Sequence, residues 1–256
     1  MGGAAQEIEM ARRGFGYGRW DAPYWFIGLE EGKGPGESAD NSTRVQAWHR
    51  FEKDGLCDCR AFHFEIKESR LHCEHPRLAP TWRSLILLLK GFLDEDRSTE
   101  RLRQYQRDRW GSSTGETCVI ELSGTAAKGL AVDVDRDKFL EERIQFIRRK
   151  LGARPPTFVV MYGVTRRSDW ERLVGCRLER DRIVRQGQTL YVMSRSPTAR
   201  GGTNAAWLSL GIRLREAAVA EGLYSTDSRS GPQSGSLFRS VKNQIMRIFI
   251  HREPRP

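Results

Sequence analysis

Short apolar runs, each bounded by glycine, proline or polar residues, recur along the chain and predict buried strands. These runs occupy residues 24–28, 118–122, 157–163 and 189–194. Between and after them, apolar residues recur at helical spacing and predict amphipathic or buried helices. The predicted helices cover residues 42–51, 81–93, 94–110, 137–151 and 204–220. Asn41 or Ser42 is the predicted N-cap of the first helix, and Thr81 that of the second.

The order of these elements favours an α/β fold. Strands that are separated by helices connect through right-handed crossovers, so the strands are predicted to run parallel. Residues 61–66 differ, because apolar and polar side chains alternate there, and they predict a strand or hairpin within an insertion around residues 55–80. Residues 1–222 are predicted to form one domain. Residues 223–256 are predicted to form a linker rich in serine and glycine, followed by a short basic segment.

Two acids and several glycines follow the first predicted strand directly. Glu30 and Glu31 stand at the carboxyl end of that strand, which is where open α/β sheets bind their ligands. The glycines let the backbone approach a ligand closely, and Lys33 can contact a phosphate. Taken alone, such a loop is more often an acidic surface turn than a site.

Three short stretches, in the same order, resemble the uracil-DNA glycosylase superfamily. Residues 28–36, GLEEGKGPG, are similar to motif A, which reads GQDPYHGPG in one family, and Glu30 falls on its acidic position. Residues 155–163 resemble the superfamily strand Pro-x-Val-Val-x-x-Gly, and residues 194–200, SRSPTAR, resemble motif B, usually HPSP. The resemblance implies a three-layer αβα fold with a central four-stranded parallel sheet. It also implies a monofunctional DNA glycosylase, which flips a base out of DNA and excises it.

The resemblance assigns roles to residues of each motif. Glu30 is expected to be catalytic, with Glu31 as the nearest alternative, and the backbone of Gly28 and Leu29 is expected to pack against the flipped base. The remaining residues are expected to contact either the base or the DNA backbone. The base-binding set is Thr43, Trp48, Glu121, Ser123 and Ser194, and the DNA-binding set is Lys33, Arg195, Ser196, Pro197 and Arg200.

Departures from the superfamily pattern bear on the substrate. Ser194 replaces the histidine that opens motif B, Thr43 stands near the position of the stacking phenylalanine, and Glu121 stands at or near the base-reading asparagine. A carboxylate accepts a hydrogen bond from the exocyclic amine of cytosine but has nothing to donate to a uracil carbonyl. The predicted substrate is therefore a modified cytosine, such as glucosylated hydroxymethylcytosine in phage DNA, and the predicted role is antiviral defence.

The charge of the chain agrees with a polyanionic partner. Lysine and arginine number 43 against 33 aspartate and glutamate, which gives a formal net charge of +10. DNA is the expected partner, although other basic proteins carry a similar excess. Residues 12–20 interleave arginine, aromatic residues and glycine, so they are interpreted either as an arm that wraps nucleic acid or as a flexible entry loop.

Cysteine and histidine residues cluster around residues 57–75, but their spacing departs from the usual C-x₂-C pairs of zinc sites. The cluster comprises Cys57, Cys59, His63, His72, Cys73 and His75. Zinc or an iron-sulfur cluster therefore remains the minority interpretation of this cluster, and the prediction is that the protein has no metal and no other cofactor. The longest apolar run is far too short to span a membrane, so no membrane partner is expected and the expected location is the cytoplasm.

Three other functions remain open from the sequence. One is a repair glycosylase for uracil or damaged bases. The second is a DNA-binding module that keeps the fold without the chemistry, which the missing histidine of motif B favours. The third is a magnesium-dependent nuclease or nucleotide hydrolase, because Glu30 and Glu31 are paired acids after a strand.

Overall fold

The computed structural model of the chain describes residues 3–29, 41–124, 138–200 and 202–225. Apart from Ser225, these residues belong to the first of two compact units, Met1–Tyr224 and Ser225–Pro256. Within the described ranges, no helix is both long enough and apolar enough to cross a membrane.

The described strands form one sheet of seven strands, in the order β3-β1-β4-β2-β5-β7-β6. The strands are β1 Gly16–Gly18, β2 Tyr24–Gly28, β3 Leu56–Cys57, β4 Thr117–Glu121, β5 Phe158–Tyr162, β6 Ile183–Gln186 and β7 Thr189–Ser194. Neighbours among β4, β2, β5 and β7 pair in parallel, whereas β1 is antiparallel to β4 and β6 to β7. The α/β class is therefore confirmed, and the sheet is mixed and larger than the four strands that were predicted.

Helices cover both faces of the sheet. They are α1 Gly3–Arg13, α2 Asn41–Phe51, α3 Cys59–Glu65, α4 Pro80–Leu93, α5 Thr99–Asp108, α6 Leu140–Ala153, α7 Arg167–Val174 and α8 Asn204–Ala220. Alternate strand residues, such as Phe26 and Val160, pack in one core with α4 and α8. Their neighbours, such as Ile27 and Met161, pack in a second core with α6 and α7. This alternation is why the central strands are apolar on both faces.

Residues 94–110 are helical only from Thr99 to Asp108. Asp94 ends α4 in the left-handed conformation, with φ of 54°, and its backbone amide donates to the Gly91 carbonyl. The next helix, α5, begins only after Ser98, whose side chain accepts a hydrogen bond from the Arg101 amide. The predicted end of the second helix at Leu93 is confirmed, because a left-handed residue stops a helix, whereas the predicted start of the third helix at residue 94 was wrong, because that helix begins at Thr99. The predicted N-cap Thr81 was also wrong: Ala79 holds that position, and Pro80 is the first helical residue.

Residues 61–66 lie largely in helix α3 rather than in a strand or hairpin. Asp58 is the N-cap, and its carboxylate accepts a hydrogen bond from the Ala61 amide. Phe62 and Ile66 are both buried, four residues apart, whereas Phe64 is 48% exposed. The alternation of the sequence was misleading because helical spacing buries residues i and i+4 on one face.

The glycine-rich and aromatic segment near the amino terminus is part of the sheet. Its residues Gly16–Gly18 form β1, and Tyr17 is paired with Val119 of β4. Phe15 and Tyr17 are buried, so these rings belong to the two cores instead of facing solvent. Both sequence interpretations, an arm that wraps nucleic acid and a flexible entry loop, are therefore wrong.

Candidate functional site

The carboxyl ends of four neighbouring strands meet at one edge of the sheet. Gly28 of β2 is in register with Glu121 of β4, and Tyr162 of β5 is in register with Ser194 of β7. Because Ile27 pairs with the residue before Tyr162, the four terminal residues form one row across the sheet. Parallel strands in register direct their side chains to the same face. The row therefore brings a carboxylate, a glycine, a phenol and a hydroxyl together.

Tyr162 and Glu121 interact directly across this row. The Tyr162 hydroxyl donates a hydrogen bond to Glu121 Oε1 over 3.0 Å. Tyr162 is buried and Glu121 is half-buried. A hydrogen bond to a charged group is worth about 1.5–3 kcal/mol, so the phenol fixes one carboxylate oxygen in place. A carboxylate has about four lone-pair sites, so it can accept more than one hydrogen bond.

Gly28 is the residue that lets these two side chains meet. A Cβ atom added to Gly28 would lie 2.0 Å from Glu121 Oε2 and 2.5 Å from the Tyr162 hydroxyl oxygen. Both distances are far below van der Waals contact. The absence of a side chain at Gly28 is thus a steric requirement of the pair, whose side chains lie directly over the β2 backbone at this position.

Arg143 of α6 forms hydrogen bonds with the backbone at the carboxyl end of β4. Its guanidinium donates to the backbone carbonyls of Leu122, at 2.7 Å, and Glu121, at 2.8 Å. The same guanidinium lies 4.2 Å from the ring centroid of Phe15. It also donates to three carbonyls of the amino-terminal segment, those of Ala11, Arg12 and Gly14. Arg143 therefore joins the end of β4 to the chain that leads into β1.

Arg143 is fully buried, which is unusual for a cation. Burial lowers the pKa of Arg143 to about 9, while the charge of Glu121 acts in the opposite direction. The side chain therefore stays charged at neutral pH. Arg143 could not be identified from the sequence, because a basic residue in a highly charged helix such as α6 carries no signal that it points inward.

Ser194 is anchored at the other end of the row. Its hydroxyl donates to Asp181 Oδ1 over 2.7 Å. Asp181 is held in turn, because its amide donates to the Met193 carbonyl and its own carbonyl accepts from Arg213. Asp181 has φ of 60°, a left-handed conformation that aspartate adopts more readily than most residues. The Ser194 hydroxyl is therefore held in place, with its one proton donated to Asp181.

The segment after Ser194 carries the four predicted DNA-binding residues that the structure describes. Arg195 and Arg200 are exposed, Ser196 is half-buried and Pro197 is buried. The Ser196 carbonyl accepts a hydrogen bond from the Ala199 amide in a turn. Both arginines are thus exposed on the segment that directly follows Ser194.

The strand pairing of β2 and β4 continues beyond their ends. The Leu122 amide donates to the Gly28 carbonyl, and the Ser123 amide donates to the Leu29 carbonyl, each over 2.8 Å. Leu29 and Ser123 are both half-buried. The predicted base-contacting residues Leu29 and Ser123 therefore lie next to each other at the same edge.

Two predicted base-binding residues belong to helix α2. Thr43 is half-buried, whereas Trp48 is only 4% exposed and packs in the core that contains Phe26. The Trp48 ring is therefore too enclosed to contact a flipped base unless helix α2 moves. The predicted residues Glu30, Glu31 and Lys33 lie outside the described residues, and in sequence they follow Leu29 at the edge just described.

A separate cluster gathers a thiol and two imidazoles. Cys59 Sγ lies 3.5 Å from His63 Nδ1 and 3.8 Å from His72 Nε2, and all three residues are buried. Burial, together with the nearby His63, lowers the pKa of His72 to about 4, so this imidazole is neutral at physiological pH. Among the predicted cluster members, Cys73 is exposed and the Cys57 thiol faces the Trp48 carbonyl.

No protein-family model matches this chain, and no curated protein is significantly similar to it.

Proposed function

We propose that the protein is a monofunctional DNA glycosylase, which flips a modified pyrimidine from DNA, hydrolyses its N-glycosidic bond and leaves an abasic site. The observation that carries the proposal is the row of Glu121, Gly28, Tyr162 and Ser194. The row combines a carboxylate fixed by a phenol with a glycine that makes room for both side chains, and it includes one residue from each of the three stretches that resemble the uracil-DNA glycosylase superfamily. The parallel run of β4, β2, β5 and β7 between helix layers also supports this relationship.

Glu30 is the proposed catalytic group. It directly follows Leu29 in sequence, and its proposed role is to orient the attacking water with its carboxylate. The same charge stabilises the cationic sugar that develops as the glycosidic bond breaks, as carboxylates do in glycoside hydrolysis. Glu31 is the alternative for this role. The backbone of Gly28 and Leu29 packs against the flipped base.

Glu121 is the proposed reader of the base. Tyr162 occupies one carboxylate oxygen, and the carboxylate accepts a further hydrogen bond from an exocyclic amine of cytosine type. A uracil edge presents a carbonyl oxygen at that place, which faces the carboxylate without a hydrogen bond. The small residues Thr43 and Ser194 leave space for a bulky substituent such as glucosylated hydroxymethyl. These features favour a modified cytosine and a role in antiviral defence.

In this proposal, contacts to the DNA backbone supply most of the affinity of the protein for DNA. Arg195 and Arg200 are exposed on the segment that follows Ser194, and they bind phosphates together with Lys33 and the turn at Ser196 and Pro197. The net charge of +10 adds a long-range attraction to DNA. The proposed location of the enzyme is the cytoplasm.

Base release from defined DNAs tests the proposal. The full chain is incubated with duplexes and single strands that carry uracil, hydroxymethylcytosine or its glucosylated form, and abasic sites are then cleaved with alkali. Release of a modified cytosine in EDTA is the expected result. Cleavage that needs magnesium and no alkali identifies a nuclease, uracil as the best substrate identifies a repair enzyme, and DNA binding without release identifies a non-catalytic module.

A further inference from the structure

Cys59, His63 and His72 form a buried group of potential metal ligands. Their exposed fractions are 0%, 4% and 1%, and their ligand atoms all lie within 4.8 Å of one another. Cys59 and His63 are four residues apart on α3, so one helix face presents both side chains. His72 joins them from a segment that follows a single 3₁₀ turn, Ser69–Leu71.

The two distances from the Cys59 sulfur to the histidine nitrogens suit a tetrahedral metal ion. Zinc bonds of about 2.3 Å to sulfur and about 2.0 Å to nitrogen put neighbouring ligand atoms about 3.5 Å apart. Cys59 Sγ lies 3.5 Å from His63 Nδ1 and 3.8 Å from His72 Nε2. Thiolate and imidazole together are the donors that zinc prefers in proteins, and one cysteine is too few to hold an iron-sulfur cluster.

The second nitrogen of His72 has the partner that a metal-bound histidine usually has. His72 Nδ1 lies 3.3 Å from the Arg107 carbonyl oxygen, an acceptor for an N–H group. A proton on Nδ1 leaves Nε2, the nitrogen nearest Cys59, with its lone pair directed to the metal. His63 Nδ1 lies 2.6 Å from the Cys59 carbonyl oxygen, so metal binding through this nitrogen replaces that hydrogen bond.

We propose that Cys59, His63 and His72 bind one zinc ion. The ion replaces the thiol proton of Cys59, which passes to solvent, and a further ligand such as water completes the tetrahedron. This inference does not depend on the glycosylase proposal. The rings of Tyr17 and Trp82 pack against His63, so the ion lies among aromatic side chains.

The role of this ion is structural. The Cys59 amide donates to the Gly111 carbonyl, and the Gly111 amide donates to the side chain of Thr117. Thr117 begins β4, whereas Glu121 of the candidate site ends it. The metal therefore lies at the opposite end of β4 from the row. It ties the segment before α4, which has little regular secondary structure, to the first residue of β4.

Metal content and cobalt spectroscopy test the proposal on the full chain. The protein as purified without chelator is expected to contain one zinc ion per molecule by elemental analysis. Replacement by Co²⁺ is expected to give a thiolate-to-cobalt charge-transfer band and intense d–d bands of a tetrahedral site. A folded wild-type chain that takes up neither metal at this ratio overturns the proposal, and this readout needs no variant.

Cysteine variants then identify the ligand. Cys59→Ser is expected to abolish the charge-transfer band and to weaken cobalt binding by more than about 100-fold, beyond the usual cost of losing an outer-shell contact. Cys176→Ser is the matched control, since Cys176 lies outside the cluster, and it should keep both band and affinity. If Cys59→Ser retains the band, the thiolate comes from another residue and the site is wrong. If Cys59→Ser fails to fold, His72→Asn is used, with loss of stoichiometric cobalt as the expected result.

Discussion

Tyr162 donates a 3.0 Å hydrogen bond to Glu121 across Gly28, at the point where three parallel strands end together. A phenol directed at one carboxylate oxygen fixes the orientation of the other. A side chain that recognises a base needs a fixed orientation, because a freely rotating carboxylate does not discriminate between the hydrogen-bonding edges of different bases. The pair therefore gives the proposed base specificity a structural basis that can be tested by mutation.

Glu121→Gln is expected to narrow the difference in release rate between modified cytosine and uracil. The amide presents either a donor or an acceptor, so it no longer rejects a uracil carbonyl. We expect cytosine release to fall and uracil release to rise, with a combined change of at least about tenfold, equivalent to about 1.4 kcal/mol. Single-turnover release from both DNAs measures the effect. An unchanged ratio would show that Glu121 does not contact the base.

Tyr162→Phe is the companion variant for this measurement. It keeps the ring in the core but removes the hydroxyl that fixes Glu121. Slower release of modified cytosine without faster release of uracil is expected. If Tyr162→Phe and Glu121→Gln changed the two release rates equally, the cause would instead be a general loss of packing.

Gly28→Ala is expected to destabilise the protein and to stop base release. The added methyl group meets the Glu121 carboxylate and the Tyr162 hydroxyl, and overpacking of this kind costs about 1–3 kcal/mol. Gly152→Ala is the control. Nothing lies within 4 Å of a Cβ at Gly152, which is in α6, so alanine there should stabilise by up to about 1 kcal/mol. Urea denaturation compares the two; similar midpoints would contradict the steric argument.

Arg143→Met is expected to lower the free energy of unfolding by at least about 3 kcal/mol, because it leaves several buried carbonyls without a donor. Arg143→Lys should fall between methionine and the wild type, since an ammonium has three N–H groups for five carbonyls. Arg149→Met on the exposed side of the same helix serves as the control. Loss of stability in the control, but not in Arg143→Met, would refute a structural role for Arg143.

Glu30→Gln is expected to abolish base release while DNA affinity stays nearly constant. The change removes the charge opposite the cationic sugar but leaves the phosphate contacts intact. Glu100→Gln, on the exposed surface of α5, loses the same charge and should keep full activity. Alkali cleavage reports release and fluorescence anisotropy reports binding. Full activity of Glu30→Gln would transfer the chemistry to Glu31 or exclude this site.

Arg195→Ala and Arg200→Ala are each expected to weaken binding to all DNAs about equally. Each should also reduce the slope of log binding constant against log salt concentration by about one, because one phosphate contact is lost. Arg101→Ala, on the surface of α5, removes the same charge away from the row and should have little effect. Anisotropy titrations at several salt concentrations provide the slopes. A change in which base is excised would contradict the assignment of these residues to the DNA backbone.

The apolar pattern of the sequence was sufficient to predict the four central strands and most of the helices. Residues 24–28 and 189–194 were predicted with the bounds that the structure has, because continuous apolar runs between breakers have few other solutions. Short elements were missed or misassigned. Three residues of β1 and seven of α3 are too few for a period to show, and burial by distant residues determines their conformation.

The chemistry of the site depended on the tertiary structure. Motif resemblance placed Glu121 and Ser194 at strand ends, but only the parallel register of β4, β2 and β5 brings Tyr162 to Glu121 over Gly28. The group of Cys59, His63 and His72 likewise follows no familiar spacing, since a helix face and a later turn bring it together. Sequence determines local conformation through nearby side chains, whereas contacts between residues 40 or more positions apart arise only when the sheet fixes which strands are neighbours.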